Sequence, residues 1–130
     1  MIGGVILPTP HQGQRTVLLS PARFRWLTAG RRWRKTTLGM AVALECAVKG
    51  QTVLWGAPTF DQAGIGWGEM QHAAGGLAQF NRSRMEIILP TGGKVILRSL
   101  DNPDNARGHT AHGVIIDEAP RVDGRAWYDV

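Results

Sequence analysis

At 130 residues the chain has the length of one domain, and its 43% apolar content is a globular balance. No stretch approaches the roughly 18 uninterrupted apolar residues of a membrane helix. The apolar start "MIGGVILPTP" lacks the basic leader of a secretory signal. The single cysteine, Cys46, excludes an internal disulfide and suits a reducing compartment.

The net charge of +5 is unevenly spread. Residues 1–35 carry Arg15, Arg23, Arg25, Arg31, Arg32, Arg34 and Lys35 and no carboxylate. Residues 101–130 carry three arginines against Asp101, Asp104, Asp117, Glu118, Asp123 and Asp129. A basic front points to a polyanionic ligand, either nucleotide phosphates or a nucleic-acid backbone, unless it is only a solvated face.

In chain order, "RFRWLTA" (residues 23–29) has the alternating character of a short strand and runs into the basic loop "GRRWRK". Thr36 or Thr37 can start a helix whose residues 38–48 are apolar nearly all round, and Lys49-Gly50 is a stop signal. A helix apolar on most sides packs against a sheet. Cys46 falls within it as a small core residue. "TVLWGAPT" (residues 52–59) reads as a buried strand broken by proline. Strand, loop, helix and strand together form the right-handed crossover unit of α/β proteins.

Residues 61–80 predict a weaker helix. Its glycines at 64, 66, 68, 75 and 76 each cost about 1 kcal/mol relative to alanine in a helix interior, so the helix is expected to be weak, either broken into pieces or mobile. "RMEIILPTGGKVILRSL" (residues 84–100) holds two strand-like runs around "PTGG" and predicts a β-hairpin. A polar loop, residues 101–112, leads to "GVIIDEAP" (residues 113–120), an apolar strand ending in two carboxylates. Trp26 and Trp55 fall in predicted strands and read as core, whereas Trp33 lies on the basic loop. His109 and His112 sit three apart without a third ligand, too few for a metal centre.

Two segments carry chemistry. A phosphate-binding loop needs inward-pointing backbone N–H groups, a helix N-terminus, a lysine for the β- and γ-phosphates and a hydroxyl for Mg²⁺. "AGRRWRKTT" (residues 29–37) follows a predicted strand and opens a predicted helix, with Lys35 placed for phosphate and Thr36 for metal. Against the pattern G-x-x-x-x-G-K-[ST], Ala29 and Arg34 replace the two glycines, and Gly30 takes over part of the turn. About 80 residues on, "VIIDEA" ends an apolar strand in Asp117 and Glu118. In nucleotide hydrolysis the first acid orients hydrated Mg²⁺ and the second takes a proton from the attacking water.

With both motifs in place, the sequence resembles the ATPase half of the large terminase subunit of tailed bacteriophages. "ARFRWLTAGRRWRKTT" is similar to that family's opening strand and arginine-rich Walker A loop. "VLWGAPTFDQA", "IILPTGGKVILRSL" and "ARGHTAHGVIIDEAP" resemble its later core segments in the same order. The resemblance implies an α/β P-loop NTPase core of the ASCE type, a mainly parallel sheet flanked by helices with a β-hairpin insertion and incomplete at the C-terminus. Residues 1–130 would be a partial ATPase domain, with Walker A at 29–37, Walker B at 113–118 and the nuclease domain absent.

The same resemblance implies ATP and Mg²⁺ as ligands. Gly30, Arg31, Arg32, Trp33, Arg34, Lys35, Thr36 and Thr37 would form the nucleotide loop. Thr36 and Asp117 would hold Mg²⁺, Glu118 would be the catalytic base, and Arg31 would sense or stabilise the γ-phosphate. Gln14, in "HQGQRTVL", resembles the family's upstream glutamine that reads the adenine edge. Double-stranded DNA is the implied substrate for movement in the host cytoplasm. Portal protein, small terminase subunit and ring self-association are the implied partners. The alternatives are a helicase-like nucleic-acid translocase, or a non-catalytic prophage remnant that binds DNA through its basic N-terminal third.

Overall fold

Residues 12–18, 35–101 and 111–117 are described by the computed structural model. Within them lie three helices, α1 (Gln12–Leu18), α2 (Lys35–Val48) and α3 (Phe60–Ala74), and five strands, β1 (Thr52–Ala57), β2 (Gln79–Asn81), β3 (Glu86–Ile88), β4 (Lys94–Ser99) and β5 (Gly113–Ile116). The strands form one mixed sheet in the order β2-β3-β4-β1-β5. β1 is flanked by parallel partners, with Trp55 opposite Leu97 of β4 and Ile115 of β5. β3 runs antiparallel to both of its neighbours, β2 and β4. The predicted strand at 23–29, with Trp26, lies outside the described residues.

Helix α2 ends where its sequence says it should. Gly50 adopts φ +87°, its N–H donates to the Ala47 carbonyl, and the Gln51 N–H donates to that of Cys46. This pairing satisfies the terminal carbonyls of the helix, and only glycine adopts the left-handed conformation without strain. Cys46 is half-buried and packs against the core rather than lying fully within it.

The expected hairpin is present, and its second strand is integral to the sheet. Leu89 N–H donates to the Gly93 carbonyl, Gly92 N–H donates to that of Leu89, and Gly92 sits at φ +87°. This is the short hairpin connection in which the last loop residue is left-handed. The loop lies against the C-terminal end of α2. Thr91 Oγ1 donates to the Ala47 carbonyl at 2.9 Å, and a Cβ on Gly93 would fall on that same oxygen.

Residues 61–80 depart from the expected broken helix. α3 is continuous from Phe60 to Ala74, capped by Thr59, whose Oγ1 accepts from the Gln62 N–H at 3.2 Å. The chain then turns at Gly75 and Gly76, and Gln79 and Phe80 belong to β2. Propensity treats the glycines as defects, but packing gives one of them a purpose. A Cβ on Gly66 would lie 2.9 Å from Trp55 Nε1, and one on Gly39 of α2 would lie 3.1 Å from Trp55 Cη2. The fully buried indole of Trp55 is therefore received by bare backbone on both helices.

Side-chain alternation divides the core. Val53, Trp55, Val95 and Leu97 face α2 and α3, joining Leu44, Met70 and Trp67. Leu54, Ile96 and Leu100 cluster on the other face with Ala111 and Ile116. Trp67 meets Phe80 edge to face at 5.5 Å, which joins α3 to β2.

Two glycine substitutions on one helix should therefore have opposite signs. Gly68 has open space around its missing Cβ, so Gly68→Ala should stabilise by up to about 1 kcal/mol. Gly66→Leu should destabilise by about 1–3 kcal/mol through overpacking against Trp55. Urea midpoints measured at unchanged m-value check both.

Candidate nucleotide site at the carboxyl edge of the sheet

Parallel strands β1, β4 and β5 all end at one edge of the sheet, and the crevice beyond such an edge is where α/β proteins bind ligands. The N-terminus of α2 opens at that edge. Lys35, Thr36 and Thr37 form its first turn, each half-buried, and that turn contains no acidic residue. Its first N–H groups and the positive end of the helix dipole point out of the helix there, and the turn itself carries no acidic residue. Such a terminus favours a phosphate.

β5 delivers a carboxylate to the same place. Its pairing with β1 continues one residue beyond the strand, where the Asp117 N–H donates to the Gly56 carbonyl at 2.9 Å. With its backbone fixed, Asp117 accepts a hydrogen bond from Thr36 Oγ1 through Oδ1 at 3.2 Å, across 81 residues of sequence. The contact is half-buried, so water screens it only in part.

The donor chemistry suits a hard cation. A hydroxyl and a carboxylate oxygen match the preference of Mg²⁺, and neighbouring ligands of an octahedral Mg²⁺ stand about 2.9 Å apart. The 3.2 Å separation of Thr36 Oγ1 and Asp117 Oδ1 is close to that spacing. Mg²⁺ keeps several waters when it is held by one or two protein oxygens and phosphates, so two protein donors are enough. Among the described residues no group of three or more His, Cys, Asp or Glu side chains is placed to hold a metal.

Comparison with solved structures joins this geometry to a known protein. The chain matches the large terminase ATPase domain of Thermus phage P74-26 with a TM-score of 0.77 over 93% of its length, at 27% sequence identity. The fold is that of a phage large-terminase ATPase domain. The chain spans 58% of the length of that terminase chain. No family model matches it, and neither does any curated protein.

On this terminase fold, the sequence-predicted site residues fall into three groups. Lys35, Thr36, Thr37 and Asp117 come together at the carboxyl edge. Gln14 lies on α1 and is buried, 5% exposed, which is not the environment of an incidental surface amide. Gly30, Arg31, Arg32, Trp33, Arg34 and Glu118 lie outside the described residues, as does His109. His112 has a role in the sheet: its Nδ1 accepts from the Thr52 N–H at 3.0 Å, while its own N–H donates to the Thr52 carbonyl.

The Thr36–Asp117 contact can be measured without any ligand. Thr36→Ala and Asp117→Ala should each destabilise by about 1–2 kcal/mol, since the acceptor is charged and half-buried. The double variant should lose less than the sum, and a double-mutant cycle on denaturant midpoints reads the coupling.

Proposed function

We propose that this chain is the ATP-binding and ATP-hydrolysing core of a viral DNA-packaging motor, a large-terminase ATPase. The observation that carries the reading is the Thr36–Asp117 contact. It closes the site at the head of α2 in a fold matched to a terminase ATPase domain.

In this reading the residues from Gly30 to Thr37 wrap the phosphates of ATP. Lys35 holds the β- and γ-phosphates, and the N-terminus of α2 supplies backbone donors. Arg31 neutralises charge growing on the transferring phosphoryl group, and the charged Arg34 replaces the usual close backbone approach with a guanidinium. Thr36 and Asp117 would hold Mg²⁺, which would supply neutralisation of the phosphate charge. Glu118 accepts a proton from water as its oxygen bonds to the γ-phosphorus. The bond from that phosphorus to the bridging oxygen breaks, releasing ADP and inorganic phosphate. Gln14 reads the adenine edge through paired amide hydrogen bonds.

Double-stranded DNA is the polymer moved by this cycle. Portal protein, small terminase subunit and further copies of the chain are the partners that the packaging reading brings with it. The host cytoplasm is where such a motor works. Among the described residues no helix is long and apolar enough to cross a membrane.

The reading is tested by separating binding from turnover. The chain should bind Mg-ATP saturably, with little turnover on its own. Lys35→Ala should weaken binding about 10- to 100-fold, the loss of a charged hydrogen-bonding group on phosphate. In a form that turns over, Glu118→Gln should keep wild-type affinity and lose hydrolysis. Titration calorimetry and phosphate release measure the two quantities. Non-saturable ATP binding that Lys35→Ala leaves unchanged would favour the non-catalytic remnant.

A further inference from the structure

The Thr36–Asp117 contact is the upper of two rungs that join α2 to β5. Gly39 lies one turn further along α2 on the side of Thr36, and Ile115 lies two residues before Asp117 on the same face of the sheet. These two make the lower rung, for a Cβ on Gly39 would stand 3.4 Å from Ile115 Cγ2. It would also stand 3.1 Å from both Cη2 and Cζ3 of Trp55, the residue of β1 paired with Ile115. The outer ring of the indole therefore lies under α2, one turn below the hydroxyl that faces Asp117.

The ring has little room to yield. Trp55 is fully buried, and its other edge abuts α3, where a Cβ on Gly66 would lie 2.9 Å from Nε1 and 3.0 Å from Cε2. Among the described residues Trp55 Nε1 is a buried donor without a hydrogen-bond partner. A buried indole N–H is ordinarily paired, so this side chain is suited to its place by size rather than by a polar contact.

The height at which α2 rides on this ring bears on the upper rung. Carbon atoms in ordinary contact stand about 3.5–4.0 Å apart, so one methyl group on Gly39 would lift α2 by several tenths of an ångström. Neighbouring oxygens stand about 2.9 Å apart around Mg²⁺ and about 3.4 Å apart around Ca²⁺, whose bonds are longer and whose geometry is looser. At 3.2 Å, Thr36 Oγ1 and Asp117 Oδ1 are a small closing movement away from the first spacing. A lift of α2 carries them past the second.

We propose that Gly39, Trp55 and Ile115 are positioning residues that set the separation of Thr36 Oγ1 and Asp117 Oδ1, and through it the preference of the site for Mg²⁺ over a larger divalent cation. The metal preference rests on the nucleotide reading, whereas the spacing does not. All three side chains act through the height of α2 above the sheet.

The test reads the Thr36–Asp117 coupling without ligand, by double-mutant cycle, and the affinities for Mg-ATP and Ca-ATP by titration calorimetry. Gly39→Ala should reduce the coupling at least about twofold. It should weaken Mg-ATP binding about tenfold and Ca-ATP binding by less than about twofold. Alanine is the better helix former, so a general weakening of α2 does not produce this pattern. Gly68→Ala adds the same methyl group to α3 in open space and should leave all three values at wild type. Trp55→Phe removes the outer ring atoms beneath Gly39, so Trp55→Phe/Gly39→Ala should recover most of what Gly39→Ala loses. Coupling that Gly39→Ala leaves intact, or equal weakening of Mg-ATP and Ca-ATP, overturns the proposal. Should Gly39→Ala not fold, Trp55→Phe is compared with Trp55→Phe/Gly39→Ala. Stronger coupling in the double variant then supports the spacing role, and equal or weaker coupling overturns it. If the wild-type chain binds neither nucleotide while its coupling follows Gly39, the nucleotide reading and the metal preference fall and the spacing stands. If it binds Mg-ATP with coupling indifferent to Gly39, the spacing falls and the nucleotide reading stands.

Discussion

The fit of Trp55 between two glycines governs where everything else lies. An indole on a strand with parallel neighbours on both sides is bulky, and helices packed over it would ordinarily stand off. Gly39 and Gly66 let α2 and α3 close down on it, each within about one methyl group of contact. Both helices are thereby fixed against β1 and against each other. The packing of α2 on β1 accompanies the arrival of its head at the carboxyl edge of the sheet, where Thr36 meets Asp117.

Once α2 is placed, β5 needs little more to complete the site. Its register with β1 is set by four residue pairs and extended by the Asp117 N–H. A shift of one residue would turn Asp117 to the other face of the sheet. His112 anchors the opposite end of the strand through two hydrogen bonds with Thr52. The carboxylate is thus held by backbone pairing at some distance from the chemistry assigned to it. The hydroxyl of Thr36 meets it at 3.2 Å.

Much of this was legible in the sequence, for a local reason. The apolar run of α2 with its Lys49-Gly50 stop, the β-branched run of β1, the "PTGG" turn and the acidic end of β5 are all short-range signals. Each corresponds to an element in the structure. What was not legible depended on partners distant in sequence. The glycines of α3 could be priced from propensity, but the benefit of Gly66 requires knowing that Trp55 lies opposite it. β2 is three residues long, too short to show a period. The parallel pairing of β4 with β1, which makes the hairpin part of the sheet's centre, has no local signature. At the site, the Lys-Thr and Asp-Glu pairs were visible as motifs. The contact between Thr36 and Asp117 was not, because a hydrogen bond across 81 residues has no local signature.

The contact between Thr91 and Ala47 has a mechanical side. Helix α2 is tethered at both ends, through Thr36 to Asp117 just beyond β5 and through Ala47 to the hairpin loop, where a Cβ on Gly93 would meet the Ala47 carbonyl. A rod held in this way cannot slide along its axis to relieve a push at its head. Displacing its first turn along the axis would have to break or drag the hydrogen bond that joins its other end to the hairpin loop. Strain introduced at one end of the rod therefore has a rigid route to the other side of the sheet.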